Sequence, residues 1–239
     1  MRTKPTAENH YVVATVRPWN VAQYQKALPT LTGHWHLITE SDQLTKAHLD
    51  TLHPRYIFFP HWNHKVPEDI LAAYECVCFH MTDVPFGRGG SPLQNLIVRG
   101  ETETKVTALR MVKELDAGPV YTKRDLSLHG LAEEIYLRAA AIVFEIIRDI
   151  ATQQPAPTPQ TGDVTTFKRR TPAQSDISKD ITTLEGLFDH IRMLDAVGYP
   201  AAYLDYGNFR LAFSRPALKS GRIAASVTIT PIKDEKNGS

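Results

Sequence analysis

The feature that most constrains the fold is a strand-like run of apolar and β-branched residues, Tyr11–Val16, followed by a turn and a helical pattern. An unbroken apolar run of this length is typical of a parallel strand that is buried on both faces. The unit recurs at His36–Thr39, where Ser41 is the expected N-cap of the next helix, and at Tyr56–Phe59, with a helix expected over 67–74. This alternation predicts an α/β protein, with an open Rossmann-like sheet and flanking helices.

The segment after the third strand contains the strongest candidates for chemistry. The run Cys76–Phe79 delivers His80 to the end of a strand, and a loop rich in glycine and proline follows at 85–92. Such a concentration of turn-forming residues indicates a backbone that lies close to a ligand. A further run, Val106–Val112, leads to Asp116 in a turn of small residues. One histidine and one aspartate are therefore predicted to stand on neighbouring loops.

The order and spacing of these residues resemble the signature of the formyltransferases that use N10-formyltetrahydrofolate. The matching positions fall within 77–128 and are His80, Pro85, Arg88–Gly89, Pro92, Gly100–Thr104, Val106–Thr107 and Leu115–Gly118. The resemblance implies an enzyme of one-carbon transfer with a formyltransferase-like core, a formyltetrahydrofolate co-substrate and no metal. One position departs from the pattern, because the family has Asn where this chain has Cys78.

The expected catalytic residues are His80, Asp116 and Asn63. Histidine suits the centre of the reaction because its ordinary pKa lies near neutrality, so it can bond the oxyanion or the attacking nitrogen. The resemblance implies that Asp116 orients His80 and takes the amine proton, directly or through water.

Cys78 leaves four interpretations open, since a thiol donates hydrogen bonds poorly. Asn63 or another donor holds the oxyanion, His80 holds it as imidazolium, activity has been lost, or Cys78 is a nucleophile with His80 as its base.

The expected ligand-binding residues lie at strand ends, in the glycine-rich loop and in a basic run. For the folate they are Phe59, Pro60, Trp62, Val112, Leu115 and Asp116, and for the second substrate they are Trp19, Asn20, Arg88, Gly89, Gly90, Ser91, Gln94, Lys168, Arg169 and Arg170. The flat ring of Trp62 suits a pterin or a sugar, and arginine forks suit phosphate oxygens. The structural alternatives are that Trp19 caps the core, that Asn20 is an N-cap, and that the basic run is a solvated patch.

Three regions are predicted along the chain. Residues 1–152 form the catalytic core, closed by an amphipathic helix over 131–150, and residues 153–166 form an extended connection that contains several prolines. Residues 167–239 form a small β-rich C-terminal α+β subdomain.

The composition bears on the acceptor. A net charge of +1 over 239 residues lacks the basic excess typical of proteins that hold a polyanion. Pro18–Asn20 and Phe167–Arg170 also resemble sugar-modifying members of the family. The expected acceptor is therefore a nucleotide-linked amino sugar, such as a 4-amino-4,6-dideoxyhexose on a route to pseudaminic-acid-like surface glycans, and no nucleic acid.

Other functions stay open from the sequence. They are a methionyl-tRNA-type formyltransferase, a formyltetrahydrofolate hydrolase and a non-catalytic folate- or nucleotide-sugar-binding protein. The sequence has no apolar run as long as a membrane span and no apolar signal core at its beginning, so a cytoplasmic protein without a membrane partner is expected. A homodimer through the C-terminal strands is a further hypothesis.

Overall fold

The structure, a computed structural model, describes residues 8–232, which divide into two compact units. The first unit contains 8–92, Glu103–Ser127 and Tyr136–Phe167, and the second contains Leu93–Thr102, Leu128–Ile135 and 168–232. The three-region division at residues 152 and 166 stays a prediction.

The elements alternate between strand and helix over the first hundred residues. In chain order they are β1 (His10–Ala14), α1 (Pro18–Ala27), β2 (His34–Ile38), α2 (Lys46–Leu52), β3 (Tyr56–Phe59), α3 (Glu68–Ala73), β4 (Cys76–His80), β5 (Arg88–Gly89), α4 (Pro92–Val98), β6 (Glu103–Arg110), β7 (Val120–Ser127), α5 (Ala132–Gln153), β8 (Thr166–Phe167), α6 (Leu184–Arg192), β9 (Ala202–Tyr206), β10 (Phe209–Lys219) and β11 (Arg222–Pro231). Short 3-10 helices occupy Leu28–Thr30, Ser41–Gln43 and Pro172–Ser175.

The main sheet has six strands in the order β2-β1-β3-β4-β6-β7. Strands β1 to β4 are parallel, whereas β6 pairs antiparallel with β4 and β7 antiparallel with β6. The second unit carries an antiparallel sheet in the order β11-β10-β9. The predicted α/β fold class with a β-rich C-terminal region is confirmed.

The parallel strands are apolar because the sheet is covered on both faces. Val12, Ile57, Phe58 and Val77 are fully buried. The carboxyl ends of parallel strands meet at one edge of a sheet, so the residues that follow β1, β3 and β4 are brought to the same edge. His80, the last residue of β4, lies at that edge.

Two local predictions differ from the structure. The N-cap of α2 is Thr45, whose hydroxyl accepts from the backbone N–H of His48 at 3.2 Å, and Ser41 instead begins a 3-10 helix. Strand β7 and the two-residue pair β5 and β8 were also missed. Two residues carry no periodicity, and β7 exposes charged residues at its centre.

Within residues 8–232, no helix has both the length and the apolar character that crossing a membrane requires.

A buried arginine ties α6 to the segment 128–130 of the second unit. The Nη1 of Arg192, at the end of α6, donates to the carbonyls of Leu128 and Gly130 at 2.6 and 2.9 Å, and its Nε donates to Asp189 at 2.6 Å. Only 8% of Arg192 is exposed. Because those carbonyls are removed from water, they depend on this guanidinium for their hydrogen bonds.

We expect Arg192→Ala to lower the free energy of unfolding by about 3 kcal/mol, since it leaves buried carbonyls and Asp189 without their donor. Denaturant unfolding followed by circular dichroism measures the change. The control is Arg222→Ala, at an exposed position in the β10–β11 hairpin, which should change stability by less than about 0.5 kcal/mol. Equal effects of the two variants would contradict this role for Arg192.

Candidate active site

His80 is held by the carbonyl of a glycine in the loop that follows it. Its Nε2 lies 2.7 Å from the carbonyl oxygen of Gly87, and the residue is buried. A carbonyl can only accept, so Nε2 carries a proton and donates it. The second ring nitrogen, Nδ1, is therefore the atom that can gain or lose a proton.

Asp116 faces that second nitrogen. Its Oδ2 lies 3.5 Å from His80 Nδ1 and accepts the backbone N–H of Gly89 at 3.0 Å. The side chains of His80 and Asp116 are 8% and 10% exposed. A proton on Nδ1 would therefore face the carboxylate oxygen directly. The predicted juxtaposition of a histidine and an aspartate is present.

The chain makes a longer turn between the end of β6 and Asp116 than the sequence indicated. Arg110, the last residue of β6, pairs with Val77 near the beginning of β4, whereas His80 pairs with Thr107. The turn over 111–119 brings the carboxylate back to the far end of β4. Asp116 adopts a left-handed backbone conformation, with φ of 53°.

The glycine-rich loop packs against the protein itself. Gly89 has φ of 105°, and a Cβ there would lie 2.4 Å from the carbonyl oxygen of Phe167. A Cβ on Gly87 would meet the ring of Phe167 at 2.7 Å. Gly90 donates its N–H to the same carbonyl of Phe167 at 3.1 Å, and Ser91 follows with φ of 50°. The glycines therefore permit the pairing of β5 with β8, a reason that the sequence did not indicate.

Arg88 makes its side-chain hydrogen bonds to Gln160, a residue that the sequence did not indicate as functional. Its Nε and Nη2 donate to Gln160 Oε1 at 3.1 and 2.8 Å. Gln160 Nε2 in turn donates to the carbonyls of Asp116 and Gly118 at 2.8 and 2.7 Å. A glutamine in a proline-rich connection carries no local signal of function.

Asn20 supports the loop that follows β3. Its Nδ2 lies 3.2 Å from Thr15 Oγ1, 3.2 Å from the Pro60 carbonyl and 3.1 Å from His61 Nδ1, and its side chain is fully buried. Trp19 is 5% exposed and stacks on Tyr136 with ring centroids 5.3 Å apart. Both residues were predicted to bind substrate, and the structure gives both of them packing roles. Asn20 lies within α1, whose N-cap is Arg17.

His61 is kept neutral by its surroundings. Burial and the nearby Arg17 guanidinium lower the pKa of His61 to about 4. The amide of Asn20 donates to its Nδ1, which suits the uncharged ring. His61 also has φ of 50°.

We expect the neutrality of His61 to make the fold acid-sensitive. The ordinary histidine pKa of about 6.5 applies to the unfolded chain, so below that pH the unfolded state binds the proton first. Stability is complete above pH 6.5 and is lost as the pH falls toward 4. The cost reaches about 2 kcal/mol at pH 5.

The comparison is with His61→Asn, which tolerates the left-handed backbone and does not titrate. Denaturant unfolding of both proteins at pH 7 and pH 5 measures the difference. His64→Asn, an exposed neighbour, is the control and should behave as the parent chain. A parent chain that loses no more stability than His61→Asn would contradict this expectation.

The residues predicted to hold the folate fall into two groups. Phe59 and Pro60 are buried, and Phe59 belongs to the core. Trp62 is half-buried beside Phe59, and its buried indole Nε1 has no hydrogen-bond partner among the described residues. Val112 and Leu115 are 41% and 72% exposed on the turn that carries Asp116. An aromatic ring with an unused donor and exposed apolar side chains fit a flat heterocycle with polar edges.

Cys78 does not behave as a nucleophile. The residue is half-buried, and burial together with the Asp116 carboxylate raises the pKa of its thiol well above the ordinary value. The thiol therefore stays protonated near neutral pH. Asn63, the other predicted donor, is exposed, and its side chain makes no hydrogen bond to a described residue.

The remaining predicted residues lie in the second unit. Gln94 is 3% exposed and donates to the Met193 carbonyl at 3.1 Å. Lys168 and Arg169 are exposed, whereas Arg170 is half-buried and donates to the Gln174 carbonyl. Burial lowers the pKa of Arg170. The basic run therefore does not point outward as one patch.

Across residues 8–232, no three His, Cys, Asp or Glu side chains are grouped so that they could hold a metal ion.

Comparison with known proteins points to one family. A solved structure of a methionyl-tRNA formyltransferase from Clostridium thermocellum is 45% identical, with a TM-score of 0.90, over 93% of this chain and 99% of that one. Residues 172–230 match the family model described as the methionyl-tRNA formyltransferase C-terminal domain. The methionyl-tRNA formyltransferase of Bacillus subtilis is 24% identical over 95% of this chain and 72% of its own length. In general, the chain spans about half the length of the curated relatives it matches.

Sugar-modifying enzymes are similar in fold alone. A sugar N-formyltransferase from Shewanella is 14% identical, with a TM-score of 0.66, over 91% of this chain and 96% of that one. The expectation of a nucleotide-linked amino sugar as acceptor, and of no nucleic-acid partner, was therefore wrong. The Pro18–Asn20 likeness reflects packing, since Trp19 and Asn20 are buried, and net charge does not report where the charges lie.

Proposed function

Because the chain belongs to the formyltransferase family, we propose that it transfers the formyl group of N10-formyltetrahydrofolate to the amino group of methionyl-tRNA. The observation that carries the chemistry is the enclosed pair of His80 and Asp116, 3.5 Å apart. The 45% identity to the Clostridium thermocellum protein, over nearly all of both chains, supports the choice of acceptor. The C-terminal match at 172–230 supports it independently of the catalytic residues.

The folate would be held by residues at the strand ends and on the turn of Asp116. Trp62 supplies a ring face, while Val112 and Leu115 supply exposed apolar surface. When bound, N10-formyltetrahydrofolate supplies the one-carbon group.

The protein's own groups manage the proton of the attacking amine. Gly87 fixes the Nε2 proton of His80, so Nδ1 is the base available to accept a proton. Asp116 stabilises the imidazolium that results, because its Oδ2 faces that nitrogen. His80 would then return this proton to the folate nitrogen as the bond from that nitrogen to the formyl carbon breaks, so the transfer leaves no net charge on the protein. The Gly89 N–H holds the carboxylate in place.

We expect His80→Ala to lower kcat for formylation of methionyl-tRNA by about 100- to 10,000-fold, and Asp116→Asn by at least about 100-fold. The assay follows formyl-methionyl-tRNA, with uncharged tRNA as the negative substrate. His48→Ala, at an exposed histidine on α2, is the matched control and should leave kcat unchanged.

Two outcomes would overturn the proposal. Folate turnover with water as the only acceptor would indicate a hydrolase. Tight folate binding without turnover, unaffected by His80→Ala, would indicate a binding protein.

We further expect that Cys78→Asn raises kcat by about 10-fold or more. An amide NH2 donates a far better hydrogen bond to a developing oxyanion than a thiol that stays protonated, and one such donor is typically worth about 100-fold or more. Steady-state kinetics with saturating folate measure the change, with Cys78→Ala as the control that adds no donor. If Cys78→Asn gives no gain and Asn63→Ala lowers kcat, the oxyanion donor is Asn63 instead.

A further inference from the structure

Gln160 makes an unusually complete set of contacts for a residue in a loop. It lies between α5 and β8 and is half-buried. Its Nε2 donates to the carbonyls of Asp116 and Gly118, and its Oε1 accepts both hydrogen bonds from Arg88. Both protons of the amide and both acceptor positions are used within the protein. Such a residue is fixed in place and can fix its partners.

The turn that carries Asp116 has little else to hold it. Between residues 112 and 118, the backbone makes a single backbone–backbone hydrogen bond within the described structure, from Ala117 N–H to the Glu114 carbonyl at 3.4 Å. Asp116 also has a φ of 53°, which costs a residue with a side chain about 1 kcal/mol or more. The conformation must therefore be stabilised from outside the turn.

Gly118 shows how closely the turn is pressed against its neighbour. A Cβ at Gly118 would lie 1.8 Å from the carbonyl oxygen of Arg110. The Gln160 contacts at 2.8 and 2.7 Å fall on the carbonyls of Asp116 and Gly118, the two residues on either side of Ala117. Gln160 thus stabilises the backbone of the turn at Asp116, whose carboxylate faces His80.

We propose that Gln160 is a positioning residue that, with Arg88, sets the distance between the Asp116 carboxylate and His80. Two neighbouring residues of β5 then hold one aspartate at two points. Gly89 holds the carboxylate through its N–H, and Arg88 holds the backbone through Gln160. This inference rests on the proposed formyl transfer, in which the proton is accepted at the His80–Asp116 pair, and such steps are sensitive to displacements of about 1 Å.

The first test is kinetic. We expect Gln160→Ala to lower kcat about 10- to 100-fold while the KM for folate and for methionyl-tRNA changes less than about 3-fold. Gln160→Glu should lose as much activity. The carboxylate of this variant still accepts from Arg88, but it cannot donate to the carbonyls of Asp116 and Gly118 and is repelled by them. Gln153→Ala, at an exposed glutamine near the end of α5, is the matched control and should retain the parent kcat.

A double-variant cycle separates positioning from general damage. If Gln160 acts through Asp116, then Gln160→Ala should lower the remaining activity of Asp116→Asn by less than about 2-fold. A full 10- to 100-fold loss in that background would overturn the proposal, because Gln160 would then act by another route.

The last readout does not depend on activity. The Gly89 amide donates to Asp116 Oδ2, so its hydrogen-exchange rate reports whether the carboxylate is in place. We expect exchange at Gly89 to become at least about 10-fold faster in Gln160→Ala, with an unchanged thermal midpoint. Unchanged exchange at Gly89 overturns the positioning role even if the chain formylates methionyl-tRNA. Faster exchange in a chain without turnover supports that role and leaves the proposed function as the part that failed. If Gln160→Ala does not fold, Gln160→Glu decides by the same measurement.

Discussion

The hydrogen bond from His80 Nε2 to the Gly87 carbonyl is the interaction on which the site depends. It decides which ring nitrogen is the base, since a carbonyl cannot donate. That carbonyl belongs to the loop after β4, which β5 ties to β8, where Gly89 passes so close to Phe167 that a side chain is excluded. The parallel sheet places His80 at its edge. The pairing of β5 with β8, outside that sheet, helps to position the Gly87 carbonyl that determines which ring nitrogen carries the proton.

The sequence predicted the parallel half of the sheet well because β1 and β3 are apolar runs that are buried on both faces, and each is followed by a helix. It failed where structure is made by contacts distant in sequence. Strand β7 alternates weakly, and β5 and β8 are two residues each, so no periodicity could reveal them. The N-cap of α2 was misplaced because Ser41 and Thr45 both carry hydroxyls, and only Thr45 meets a helical N–H.

The proximity of His80 and Asp116 was predictable because each has a local signature, a polar residue at a strand end or in a turn of small residues. Gln160 was not predictable, since it lies 44 residues from Asp116 and its role is to hold a backbone. Arg88 was predicted to contact substrate because it belongs to the glycine-rich loop, and here the side chain of Gln160 occupies its guanidinium group. Trp19 and Asn20 show the reverse case, because residues typical of recognition serve to pack the loop after β3.

Different parts of the chain bear on the proposed reaction and on the proposed acceptor. Formyl transfer, as proposed, needs a base, a carboxylate and a fixed loop. The segment from Cys76 to Gly118 carries these groups, and Gln160 and Phe167, further along the chain, hold them in place. The net charge of +1 sums positive and negative groups over the whole chain, so it carries no information about where an acceptor would bind. The comparisons favour an acceptor that the local residues did not, because they sample the C-terminal strands as well as the catalytic loops. The residues of the site therefore indicate which reaction the chain would catalyse. Which molecule accepts the formyl group is indicated only by similarity over the length of the chain.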